Sequence, residues 1–163
     1  MLATETIQLP GVSIVVSAAV AILGLILAGL FNSAYSAFFT QVLHHPLSDQ
    51  ESIPLIRYAL STNPLVAALA IVVVAPASEE IIFRGLFFGA IEGRWGARVA
   101  LIVSSILFAV AHVQPEHIVP IFSVGLALGW ARWKTGSLGL PMLLHMLNNG
   151  LSLILLAWFD KGG

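Results

Sequence analysis

The feature that most constrains this chain is the length of its apolar runs. From about Leu9 to Phe39 there is no Asp, Glu, Lys or Arg. That run exceeds the ~20 residues an α-helix needs to cross bilayer hydrocarbon, so it would tilt or overhang. Further apolar segments follow at about Asn63–Ile91, Arg98–Val113, Ile118–Trp133 and Leu138–Phe159. A soluble core cannot hide so many apolar runs in 163 residues, and only 9% of them are charged, against roughly 25% in soluble domains. The expected fold is all-α: one integral membrane domain over residues 1–163, a bundle of about five transmembrane or partly spanning helices in a lipid bilayer.

Local signals divide the chain. "NP" at Asn63–Pro64 reads as N-cap plus first helical residue. Pro76 should kink the second helix. Ser48 and Glu51 have capping-box spacing and suggest a short interfacial helix. Gly85/Gly89 and Gly125/Gly129 have the GxxxG spacing that permits close helix approach. "MLATETIQ" lacks the positive start of a signal peptide, so the first apolar run is expected to be a retained helix. Arg94, Arg98, Arg132 and Lys134 fall in turns on one side, and Arg57 and Lys161 on the other. The positive-inside rule then predicts a cytoplasmic N-terminus.

Composition removes some functions. Without Cys there is no thiol nucleophile and no disulfide. A net charge of −1 offers no footprint for nucleic acid.

Against this background the stretch "VVVAPASEEIIFRGLFFG" stands out. An ionisable group at mid-membrane costs about 2.5–3.5 kcal/mol, yet Glu79, Glu80 and Arg84 all lie inside an apolar segment, as do His112 and His145. Glu80 and Arg84, at i and i+4, have the spacing of a structural salt bridge. That leaves Glu79 on another face without a partner. Phe108 shares a helix face with His112, and His145 shares one with Asn149. Counted at 1.5 Å per residue, Glu79, His112, Asn149 and His145 lie about 18, 21, 16 and 10 Å deep. Three helices thus bring polar groups to a similar layer.

A carboxylate beside an imidazole can hold and deprotonate water. A second His with an Asn offers donors to the oxyanion formed when water attacks an amide. The chemistry suggested is peptide hydrolysis inside the bilayer. A zinc version with Glu79, His112 and His145 as ligands stays open. Other protease signatures are missing: there is no HExxH, no GxGD and no GxSxG. "HVQPEH" is one residue too long for an inverted zincin motif, so Glu116 and His117 are read as loop residues and Ser104 and Ser105 as packing. Two other classes compete. One is a non-catalytic immunity or partner-binding membrane protein that keeps the cluster as structural glue. The other is a small transporter, disfavoured by the lack of inverted repeats.

The same residues resemble the CPBP, or Abi, family of CAAX-type intramembrane proteases. Its EExxxR motif matches Glu79, Glu80 and Arg84. Its FxxxH motif matches Phe108 and His112. Its Gly-rich helix and following turn look like "FSVGLALGWARWKTGSL", and its HxxxN motif matches His145 and Asn149. The resemblance covers about residues 72–156, the expected catalytic core. It implies that Glu79 and His112 activate water and that His145 and Asn149 stabilise the oxyanion. Glu80, Arg84 and Phe108 would support the site. The substrate implied is a membrane-embedded or lipidated peptide, with no cofactor required and zinc as the alternative.

Overall fold

The computed structural model describes residues 14–48, 50 and 52–162, and among these all regular structure is helical. Helix α1 runs Ile14–Gln41 and α2 runs Ser52–Thr62. Helix α3 is a continuous helical path over Pro64–Trp95. It is followed by α4 at Ala97–Ala111, α5 at Ile118–Thr135 and α6 at Gly139–Gly162. The expected start of the first helix at Leu9 lies outside the described residues. Helices α1, α3 and α6 are long and apolar enough to cross a membrane, whereas α4 is shorter. Their outward faces carry exposed Ile, Leu, Val and Phe, as lipid contact requires. The protein is an integral membrane helix bundle.

Asn63 caps α3 as its sequence predicts: its Oδ1 accepts the Val66 N–H at 3.3 Å, and Pro64 occupies the first turn. Ser48 departs from its predicted role. Its hydroxyl and backbone N–H both donate to Glu116 Oε2, each at 2.8 Å, and its supposed capping partner, Glu51, lies outside the described residues. The bond ties the loop after α1 to the 3₁₀ turn Pro115–His117 that precedes α5. At another edge, Arg57 of α2 makes a two-pronged pair with Asp160 of α6, at 3.1 and 2.8 Å.

Pro76 does not break α3. The chain widens into a π-helical turn at Ala70–Val74 just before it, and again at Ile81–Phe87. A proline has no N–H and its ring crowds the carbonyl four residues back, and a widened turn relieves that crowding. The two wide turns bracket the α-helical piece Ala75–Glu80 that carries both glutamates.

Helix α5 packs against α1, α4 and α6. Its Leu128 and Ala131 meet Ala21 of α1 and Leu144 of α6 in the core. One of the two GxxxG pairs serves this packing. A Cβ on Gly125 would lie 3.2 Å from Ser105 Cβ, and one on Gly129 would lie 2.8 Å from Leu101 Cδ1. Gly89, by contrast, has nothing within 4 Å of such an atom. Ser104 and Ser105 are packing residues. Both are buried, and both hydroxyls donate to Leu101 O.

Candidate active site

The polar cluster is assembled by α3, α4, α5 and α6. Glu80 and Arg84 are fully buried, with Arg84 Nη1 3.0 Å from Glu80 Oε1. Arg84 Nη2 donates to Gly125 O of α5 at 3.0 Å, and its guanidinium sits 4.3 Å from the ring centre of Phe108 on α4. The missing side chain at Gly125 is what lets this carbonyl come so close to α4 and to the arginine. One side chain of α3 therefore joins two neighbouring helices.

His145 of α6 enters the same place. Its Nδ1 lies 2.9 Å from Glu80 Oε1, and its Nε2 lies 3.7 Å from Glu79 Oε2. Glu79, left without a partner on its own helix, faces an imidazole brought by α6, whose position the helical wheel of α3 does not report. The two glutamates differ in access: the Glu79 side chain is 30% exposed and that of Glu80 is closed off. A carboxylate paired with Arg84 accepts only, so Nδ1 of His145 is the protonated nitrogen.

His112 closes α4. Its Nδ1 donates to Phe108 O at 2.8 Å, which leaves Nε2 free to accept. The Phe108 ring packs edge-on against both imidazoles, with centroids 4.7 Å from His112 and 5.7 Å from His145. His112 is not within ion-pair distance of either glutamate. The next residue, Val113, takes a left-handed φ of 53°, uncommon for a β-branched residue. It ends the helix directly after the histidine.

Asn149 docks one turn beyond His145 on a different partner. Its Nδ2 donates to Ile71 O at 3.2 Å. The reason lies in the first wide turn. The Ala75 N–H, which in an α-helix would bond to Ile71 O, bonds to Ala70 O instead. Asn149 supplies the donor that Ile71 has lost. Its second N–H is not committed by this bond.

His145 donates from Nδ1 to Glu80 and turns Nε2 toward Glu79, and His112 donates from Nδ1 to its own helix and leaves Nε2 open, an arrangement that a metal-ligating imidazole also adopts. Among the described residues no three His, Asp or Glu side chains group as metal ligands. The sequence reading missed the backbone partners, Ile71 O and Gly125 O, because no residue type announces a displaced carbonyl. It also missed Arg132, counted only as a loop charge, which donates from Nε to Arg84 O at 3.2 Å.

Comparison with known proteins agrees with this picture. Residues 61–151 match the family described as Type II CAAX prenyl endopeptidase Rce1-like. An uncharacterized 24.3 kDa protein of Escherichia coli is 35% identical over 95 residues, covering 55% of this chain and 44% of its own. The membrane-embedded CAAX protease MroQ of Staphylococcus aureus is 30% identical over 140 residues, 82% of this chain and 56% of its own. The putative membrane peptidase YdiL of Bacillus subtilis is 28% identical over 83 residues, 51% of this chain and 34% of its own. The chain spans about half the length, or less, of these relatives. No solved structure matches it.

Proposed function

The chain belongs to the family of Rce1-like type II CAAX prenyl endopeptidases, and from that premise we propose that it hydrolyses a peptide bond of a membrane-associated or lipidated peptide using water activated by its own side chains. The observation that carries this reading is the bridge His145 makes between a closed-off Glu80 and a reachable Glu79. At 3.7 Å, Glu79 Oε2 and His145 Nε2 are too far apart for a direct hydrogen bond. One water oxygen can still lie at about 2.8 Å from both.

In this reading Glu79 takes a proton as the water oxygen attacks the carbonyl carbon. The carbonyl π electrons move to oxygen. When the tetrahedral intermediate collapses, the C–N bond breaks and the departing nitrogen receives the proton. His112, with Nε2 free, assists the water from α4. His145, with Nδ1–H held on Glu80, turns Nε2 toward Glu79, and in its doubly protonated form that nitrogen donates to the oxyanion. Asn149 offers its uncommitted N–H to the same oxygen. Such donors act most strongly where bulk water is excluded.

Burial supports a functional cluster over structural glue. Oε2 of Glu80 and Nε of Arg84 have no hydrogen-bond partner among the described residues. Buried ion pairs of that kind are poor stabilisers, and apolar replacements often do as well. The Lys and Arg bias places the N-terminus on the cytoplasmic side in this proposal.

The test is a cleavage assay in detergent on a prenylated peptide and on an unlipidated membrane peptide, comparing the unaltered chain with Glu79→Gln. Loss of cleavage in a variant that melts like the parent supports the reading. Equal cleavage by both would overturn it. So would a parent that cleaves neither peptide but retains a binding partner, which would return the cluster to a structural role.

A further inference from the structure

The second wide turn of α3 repeats the pattern of the first. Phe88 N–H would bond to Arg84 O in a regular α-helix, but it bonds to the carbonyls of Phe83 and Gly85. Arg84 O is passed over, as Ile71 O is by Ala75 N–H. Each skipped carbonyl is met by a side chain from another helix: Ile71 O by Asn149 Nδ2 at 3.2 Å, and Arg84 O by Arg132 Nε at 3.2 Å. A carbonyl left without a donor away from water costs about 1–3 kcal/mol, and these two partly buried bonds help keep α3 wide at both turns.

We propose that Arg132 is a positioning residue of the active site. It clips the second wide turn open at the backbone of Arg84, and so sets the Glu80–Arg84–His145 network. The proposal rests on the hydrolytic reading above for its effect on turnover, though not for the clip itself. The geometry is specific to one atom. Arg84 is the residue whose side chain reaches Glu80, Gly125 O and the Phe108 ring, and Arg132 holds that same residue by its carbonyl. The guanidinium of Arg132 also lies 5.4 Å from the ring centre of Phe88, the residue whose N–H has left Arg84 O. Without the clip, Phe88 N–H can return to Arg84 O. The turn would then interconvert between wide and α-helical pairing, freeing its amides as it does so, and Arg84 would shift about the helix axis relative to Glu80 and Gly125. Small shifts of this kind degrade catalysis far more than they degrade substrate binding.

The rival role for Arg132 is a plain positive charge at a helix C-terminus, where it complements the helix dipole and the membrane surface. Side-chain length separates the two. In Gln, an amide nitrogen is bonded to Cδ, as Nε is in Arg, so Arg132→Gln keeps a donor at that position and removes the charge. Arg132→Met places a methyl group there and removes both. Arg132→Lys keeps the charge and moves the nitrogen one bond further out.

The experiment measures kcat, KM and backbone hydrogen exchange over residues 81–89 for the full chain and these three variants in detergent. For Arg132→Met, kcat should fall about ten- to a hundredfold with KM nearly unchanged, and exchange over residues 81–89 should rise about tenfold. Arg132→Gln should restore both toward the parent. Arg132→Gln behaving as badly as Arg132→Met, with Arg132→Lys normal, would overturn the proposal in favour of charge. Unchanged exchange in Arg132→Met would also overturn it. If that variant does not fold, Arg132→Gln against Arg132→Lys decides on the same readouts. A parent chain with no cleavage activity refutes the hydrolytic reading, and the exchange data then judge the clip by themselves.

Discussion

Nδ1 of His145 lies 2.9 Å from Oε1 of Glu80, and Nη1 of Arg84 reaches the same oxygen at 3.0 Å. One carboxylate oxygen thus fixes an imidazole from α6 and a guanidinium from its own helix. Their shared acceptor orients the other face of the imidazole, so that Nε2 looks toward Glu79. The two adjacent glutamates are thereby put in different surroundings, one closed off and one partly exposed.

That division predicts different phenotypes. Glu80→Gln halves a fully buried ion pair and leaves Arg84 uncompensated. Breaking such a pair costs about 3–5 kcal/mol, so Glu80→Gln should melt well below the parent in detergent. Glu79→Gln, at a partly exposed carboxylate, should melt with the parent and lack cleavage. Thermal melts of matched stability for the two variants would contradict this assignment.

Asn149→Ala removes both the donor to Ile71 O and the proposed oxyanion donor. Loss of one such donor typically lowers kcat by about 10²–10³. Residual cleavage should therefore be measurable in a concentrated preparation. A variant with parental kcat would remove Asn149 from the site.

Chelation tests the zinc alternative. If Glu79 and the two imidazoles activate water without a metal, cleavage should survive exhaustive dialysis against a strong chelator. Activity that disappears on chelation and returns with stoichiometric zinc would make Glu79, His112 and His145 the ligand set.

The two GxxxG pairs should separate cleanly on Ala substitution. At Gly125 the added Cβ meets Ser105 Cβ at 3.2 Å, Phe108 Cδ1 at 3.3 Å and Ser105 Cα at 3.4 Å. These atoms belong to a packed helix and yield little, so Gly125→Ala should cost about 1–3 kcal/mol. Gly89→Ala meets open space and should be neutral, or stabilising by up to about 1 kcal/mol through helix propensity. Detergent melts of the two variants give the comparison.

Glu116 gives a pH signature away from the bilayer core. The backbone N–H of Ser48, and then its hydroxyl, hold the Glu116 carboxyl below its ordinary value of 4.5. A carboxylate depressed by folding stabilises the fold above its unfolded pKa, and the gain is lost as pH falls through the lower folded value. The link between the loop after α1 and the Pro115–His117 turn should therefore hold at neutral pH and loosen in acid. Hydrogen exchange over residues 42–48, followed from about pH 5 to about pH 3 after correction for intrinsic rates, should show the loosening. In Glu116→Gln that acid-dependent step should be missing. Persistence of the step in the variant would assign it to another group.

Run length and charge placement fixed the membrane, the helical bundle and the approximate helix ends, since a bilayer admits few solutions for long apolar segments. The i, i+4 spacing of Glu80 and Arg84 likewise announced their ion pair, because both ends of that interaction lie on one helix. The sequence could not say that His145 would face both glutamates, because the approach of α6 to α3 is set by packing across the bundle. Nor could it show the two wide turns. Pro76 hints at a disturbance in α3, but a skipped carbonyl is a backbone event with no residue type of its own. Only the folded bundle brings Asn149 to Ile71 O and Arg132 to Arg84 O. There a partly buried acceptor without its helical donor must find one on a neighbouring helix.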